Sequence, residues 1–130
     1  FTSTELFSNK QFNSKDIIEN NNFTLINIWS SWCAPCRSEH AILMNLSKIT
    51  DLNIIGLNYK DKKNNAIKFL DELGNPFSKN LIDPDGIISI SLGAYGVPET
   101  ILLNNKSKII KKYIGPLTSE NISEIIKIIQ

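Results

Sequence analysis

Residues 28–37 read Ile28-Trp29-Ser30-Ser31-Trp32-Cys33-Ala34-Pro35-Cys36-Arg37. This stretch holds both cysteines, both tryptophans and the only arginine of the chain. An apolar run, Leu25 to Trp29, enters it, and an amphipathic run, Glu39 to Ile49, leaves it. Two cysteines separated by two residues, between a buried strand and a helix start, form a redox signature with a mechanism. The helix N-terminus presents unpaired N–H groups and the positive end of its dipole, and both favour a thiolate. Cys33, at the mouth of the helix, is the expected nucleophile. Cys36, one turn in, is placed to attack a mixed disulfide and release the product. Pro35 suits the first helical turn, where its missing N–H costs nothing, and it stiffens that turn. Trp32 offers a flat apolar surface to a partner peptide.

Other readings of the pair are weaker. Inert, buried cysteines would not need this spacing at this boundary. A zinc site usually takes four ligands, whereas the chain has one histidine, His40, and no third cysteine. Cys36 and His40 share a helix face at i, i+4, so chelation would need carboxylates or a second chain. Covalent haem attachment needs Cys-x-x-Cys-His, and Arg37 occupies the histidine position. The expectation is no metal and no cofactor beyond a redox-active Cys33–Cys36 disulfide.

The flanking elements follow from periodicity. Phe23 to Trp29 reads as a central strand interrupted by one polar residue, Asn27. Ile42, Leu46 and Ile49, widened by Leu43, mark the inner face of the helix after the cysteines. Leu52 to Leu57 reads as a second central strand, and Lys60 to Asn65 as a solvated loop. Ala66, Phe69, Leu70 and Leu73 give an amphipathic helix that Gly74 stops. Leu81-Ile82 is a short strand and Asp83-Pro84-Asp85-Gly86 a turn, and Ile87 to Leu92 fits helix or strand, a short helix being the preferred reading. Thr100 to Leu103 and Ile109 to Ile114 form a hairpin. Thr118 caps a last helix whose stripe is Ile122, Ile125, Ile126 and Ile129. At the start, Glu5-Leu6-Phe7 and Lys10-Gln11-Phe12 read as a hairpin around Ser8-Asn9, with Ser14 capping a helical turn. The order implies a mixed sheet with helices on both faces.

At 130 residues, 42% of them hydrophobic and 21% charged, the chain is expected to form one globular domain over residues 1–130. A net charge of +1 provides no field to gather nucleic acid or an anionic membrane. The chain has 13 lysines to one arginine, 22 isoleucines and 16 asparagines, a bias that carries little functional information. No run of 18 apolar residues spans a bilayer. The first residue is Phe1, and the expectation is a mature fragment from which a preceding segment has been removed.

Several blocks carry a resemblance. Trp32 to His40, Gly56-Leu57-Asn58-Tyr59-Lys60-Asp61, Leu73 to Phe77, and Tyr95-Gly96-Val97-Pro98-Glu99-Thr100 together resemble the CcmG/DsbE family of the thioredoxin superfamily. The likeness covers essentially the whole chain. The cysteine pair alone is thioredoxin-like; the Asn58–Asp61 and Gly96–Thr100 blocks narrow it. These relatives are membrane-anchored, periplasm-facing thiol–disulfide oxidoreductases of cytochrome c maturation.

The resemblance implies a thioredoxin-like α/β fold with an N-terminal β-hairpin. It implies that Pro98 is a cis proline lying against the active disulfide, with Val97 backbone groups pairing to a bound peptide. Glu39 and Glu99 match acidic residues that tune thiol protonation and partner choice, and Tyr95 matches a groove tyrosine. The implied partners are apocytochrome c or a cytochrome c maturation thiol protein, and a membrane electron donor of DsbD/CcdA type. The implied form is a monomeric soluble domain on the periplasmic side of the inner membrane, behind a single N-terminal anchor. One position departs from general thioredoxins, which carry a buried aspartate as proton acceptor for the second cysteine. Here that position is Asn27, which cannot take a proton. Glu39, Glu99 or water is left as acceptor. The alternatives are a general periplasmic disulfide reductase and a redox-inert peptide-binding module.

Overall fold

The computed structural model describes all 130 residues. Strand β3 (Phe23–Trp29) is the centre of a five-stranded sheet ordered β5-β4-β3-β6-β7. Strands β4 (Asn53–Tyr59) and β5 (Lys79–Asp83) run parallel to β3 through crossover helices. Strands β6 (Glu99–Asn104) and β7 (Ile109–Ile114) complete the sheet as an antiparallel hairpin on its other side.

Alternation along β3 sorts the two cores. Leu25 and Trp29 pack with helices α2 (Ala34–Ile49), α3 (Lys63–Leu73) and α5 (Ser119–Ile129) on one face. Ile26 and Ile28 pack with Ile55, Leu57, Leu81, Ile101 and Leu103 on the other. Helix α1 (Ser14–Glu19) contributes Ile18 there, and Ala94 follows α4 (Ile87–Ser91) into the same cluster. Asn27 alternates onto the face of α2 and α5, inside an otherwise apolar layer. On that face Gly56 leaves room for Phe77: an added Cβ would lie 2.6 Å from its ring. Phe77 in turn stacks on Trp29 at 6.0 Å.

The expected order of elements is present, and several boundaries differ. The N-terminal strands are β1 (Thr2–Thr4) and β2 (Gln11–Asn13), not Glu5–Phe7 and Lys10–Phe12. The Glu5 carboxylate instead holds the connecting loop, accepting from the backbone N–H groups of Phe7 and Ser8. Leu6 turns inward and its N–H donates to the Asn80 carbonyl, so the hairpin covers the β5 edge. Asn13, not Ser14, caps α1. Strand β4 extends to Tyr59, and α3 begins at Lys63, inside the stretch expected to be loop. Asp83 is the buried end of β5. Its carboxylate accepts from the N–H groups of Ile88 and Ser89, tying the start of α4 to the sheet.

Helix α2 is rotated from the expected stripe. Its buried residues are Cys36, Glu39, His40, Leu43 and Leu46, while Ile49 is exposed. Two polar side chains therefore sit where the apolar pattern placed none. The Thr118 cap is as expected, completed by the Asn121 side chain in a reciprocal capping box.

Candidate active site

Cys33 is the N-cap of α2 and forms a disulfide with Cys36 across a Cα–Cα distance of 5.3 Å. The Cys33 sulfur accepts from the Cys36 N–H at 3.2 Å. This is a capping bond made by a cysteine, and it points a backbone donor at the sulfur expected to carry negative charge. Pro35 occupies the first turn of the helix. Both cysteines are buried, Cys36 the more deeply.

The turn feeding Cys33 is held by Asp61, a residue of the Asn58–Asp61 block to which the sequence assigns no role. Asp61 Oδ2 accepts from the Ser31 N–H at 2.7 Å, and Oδ1 accepts from the Ser31 hydroxyl at 2.8 Å. Asp61 also accepts from the Asn58 side chain and the Lys62 N–H. Trp32 is 60% exposed, and its indole N–H donates to the Lys60 carbonyl, which fixes the ring at the rim. The Arg37 guanidinium stacks over Phe69, 4.9 Å from the ring centroid. A cavity of about 300 Å³ opens here, with Trp32, Arg37, Lys68 and Phe69 on its walls. The signal available in the sequence was the Asn58-Tyr59-Lys60-Asp61 block itself. It leaves the carboxyl end of the parallel neighbour of β3, where open sheets gather their functional loops.

Behind the disulfide lies a carboxylate. Glu39 is 1% exposed, one turn beyond Cys36 on the same helix face. Its oxygens accept from Asn27 Nδ2 at 2.9 Å and from the Leu117 N–H at 2.8 Å. Burial pushes the Glu39 carboxyl above the usual carboxylate range, and the two hydrogen bonds only partly oppose that. Asn27 Nδ2 also donates to Thr100 Oγ1 at 3.1 Å. Glu39 is therefore a buried, hydrogen-bonded acid and not a solvated first-turn charge. His40, on the same helix face as Cys36, is buried edge-on against Phe69, and its Nε2–H donates to the Gly74 carbonyl at 2.8 Å. Burial lowers its pKa, against the Gly74 bond.

The second acid belongs to the opposite face. Ile28 pairs with Glu99, so the Val97–Pro98 segment reaches the end of β3 from which the cysteine turn departs. The Val97–Pro98 bond is cis, Pro98 is buried and Val97 is half-buried. Thr100 faces Asn27, whereas Glu99 alternates to the other side of the sheet. Glu99 Oε2 accepts from the N–H groups of Tyr95 and Gly96 at 2.7 and 2.9 Å. Its carboxylate is committed to the loop backbone. The Tyr95 ring is 82% exposed.

The fold is thioredoxin-like, and its one disulfide stands at the helix start where the polypeptide turns out of the central strand. A family model described as Redoxin matches residues 2–129. The chain is 46% identical over 101 residues to the thiol:disulfide interchange protein CycY of Rhizobium leguminosarum, covering 78% of this chain and 54% of that one. It is 39% identical over 117 residues to the thiol:disulfide interchange protein DsbE of Escherichia coli, covering 90% and 63%. A crystal structure of a DsbF homologue from Corynebacterium diphtheriae superposes with a TM-score of 0.82 at 25% identity, covering 98% and 82%. The chain belongs to the redoxin family, and within it to the DsbE type. It spans between half and two-thirds of the length of these curated relatives. No helix is long and apolar enough to cross a membrane.

Proposed function

We propose that the protein reduces disulfides in protein partners of the cytochrome c maturation type. The reduced Cys33 thiolate attacks a disulfide in apocytochrome c, or a mixed disulfide between it and a partner thiol protein, and one sulfur of that bond leaves as a thiolate. Cys36 loses its proton and attacks Cys33. The second partner sulfur is released, and Cys33–Cys36 is left oxidised. A membrane dithiol donor of DsbD/CcdA type returns two electrons to the pair. The chemistry uses no cofactor beyond the cysteine pair and no metal, and involves no nucleic acid. The setting is the periplasmic side of the inner membrane, the domain acting as a monomer behind an N-terminal anchor.

The observation that carries this reading is the placement of the Cys33–Cys36 disulfide at the N-terminus of α2, with a buried acid one turn behind it. Glu39 is the proposed proton acceptor for Cys36. Its raised pKa brings it closer to the range where a carboxylate exchanges protons near neutrality, and Asn27, which cannot titrate, positions it. Glu99 is assigned to the loop. Trp32 and Tyr95 supply exposed aromatic surface for the partner, and Val97 and Pro98 its backbone seat.

The test compares substrates. The reduced protein should rapidly reduce a peptide disulfide within a Cys-x-x-Cys-His sequence and reduce insulin slowly. Its potential should lie near the ~−270 mV of thioredoxin, not near the ~−120 mV of DsbA. Equal, fast reduction of both substrates would favour the general reductase. Peptide binding retained without any exchange would favour the inert module.

A further inference from the structure

Lys112, in β7, belongs to none of the motifs read from the sequence. A lysine on an edge strand is by default a solvated charge that discourages edge pairing. Its surroundings here are different. Ile101 pairs with Lys112 and Glu99 with Ile114, which makes Glu99 and Lys112 diagonal neighbours on one face of the hairpin. From that position one ammonium reaches the loop twice and Glu99 once. It donates to the Gly93 carbonyl, faces Glu99 Oε1 at 3.4 Å, and sits 5.7 Å from the centroid of the Tyr95 ring.

Glu99 completes the arrangement from below. Its Oε2 accepts from the Tyr95 and Gly96 N–H groups, while its Oε1 is buried without a hydrogen bond and has the Lys112 charge as its partner. The side chains are 30% and 6% exposed for Lys112 and Glu99. Removing the ammonium would leave a buried oxygen uncompensated and the Gly93 carbonyl without its donor.

We propose that Lys112 is a positioning residue: with Glu99 it clasps the Gly93–Pro98 loop in the shape that receives the partner peptide. This rests on the reading above that the loop seats the peptide. Lys112 takes no part in bond making. Its loss should slow reactions that use the loop and spare those that reach the disulfide without it.

The experiment compares the wild type with Lys112→Met, which keeps an unbranched chain one heavy atom shorter and without the charge, and with Lys112→Arg. Reduced protein is reacted with the Cys-x-x-Cys-His peptide disulfide. Oxidised protein is reacted with dithiothreitol, which is too small to need the loop. Amide exchange is followed at Tyr95 and Gly96. The expected result for Lys112→Met is a peptide reaction slower by about tenfold, the size of one lost charge-assisted hydrogen bond. The slowing should fall on KM, with the dithiothreitol rate unchanged and faster exchange at both amides. Lys112→Arg should recover most of the rate. Equal slowing with peptide and dithiothreitol, or an unaltered peptide rate, would overturn the clasp. If the wild type reacts with dithiothreitol but not with the peptide, the peptide-seating reading fails by itself. The amides then decide the clasp, and unchanged exchange at Tyr95 and Gly96 refutes it.

Discussion

Glu39 and Glu99 show how far two residues of one type can differ in use. Their sequence contexts resemble each other, each lying within a few residues of a site proline or cysteine. Glu39 points from α2 onto one face of the sheet and Glu99 alternates from β6 to the other, and their partners set what they can do. Glu39 accepts from one side chain and one backbone N–H and remains a buried acid. Glu99 accepts from two loop amides and faces Lys112. The raised Glu39 pKa also makes a stability statement. In the unfolded chain the carboxyl titrates near 4.5, and in the folded chain it titrates higher. Protonated Glu39 therefore stabilises the fold below 4.5, and that contribution is lost as pH rises through the folded value. Glu39→Gln does not titrate. Its melting temperature relative to wild type should become more favourable between about pH 4 and about pH 7.5, and a constant difference would show that Glu39 is not buried as an acid. Its burial was not legible because an apolar stripe reports only apolar neighbours. Ile42, Leu46 and Ile49 pointed to a face rotated from the one that carries Cys36, Glu39 and His40.

The elements were more legible than their junctions. Strands β3 and β4, helices α3 and α5 and the β6–β7 hairpin each have a period long enough to read, with caps such as Gly74 and Thr118 to close them. The N-terminal hairpin slipped because its connection is held by a side chain, Glu5, and by docking of Leu6 onto β5, neither of which has a local pattern. The same blindness hid the role of Asp61, which acts across elements: it fastens the β4–α3 loop to the turn before Cys33. Both of its oxygens accept from donors, so Asp61→Asn would set an amide NH2 against another donor. The expected cost is about 1–3 kcal/mol of stability, seen as a lower urea midpoint at an unchanged m-value. A midpoint equal to wild type would mean that the turn holds itself.

At the scale of the whole molecule, the sheet order brings distant stretches to one end. The cysteine turn after β3, the loop after β4 and the loop before β6 converge there, although some sixty residues separate Cys36 from Pro98 in sequence. That convergence follows from two parallel crossovers and one antiparallel return beside β3. The charge partners at that end, Asp61 on Ser31 and Lys112 on Glu99, needed coordinates. The account stands on Cys33 as the attacking sulfur and Cys36 as the resolving one. Trapping tests this most directly. A Cys36→Ala variant incubated with the Cys-x-x-Cys-His peptide disulfide should accumulate a stable mixed disulfide through Cys33, and a Cys33→Ala variant should accumulate none. Accumulation through Cys36 in the Cys33→Ala variant, with none in its counterpart, would contradict the account.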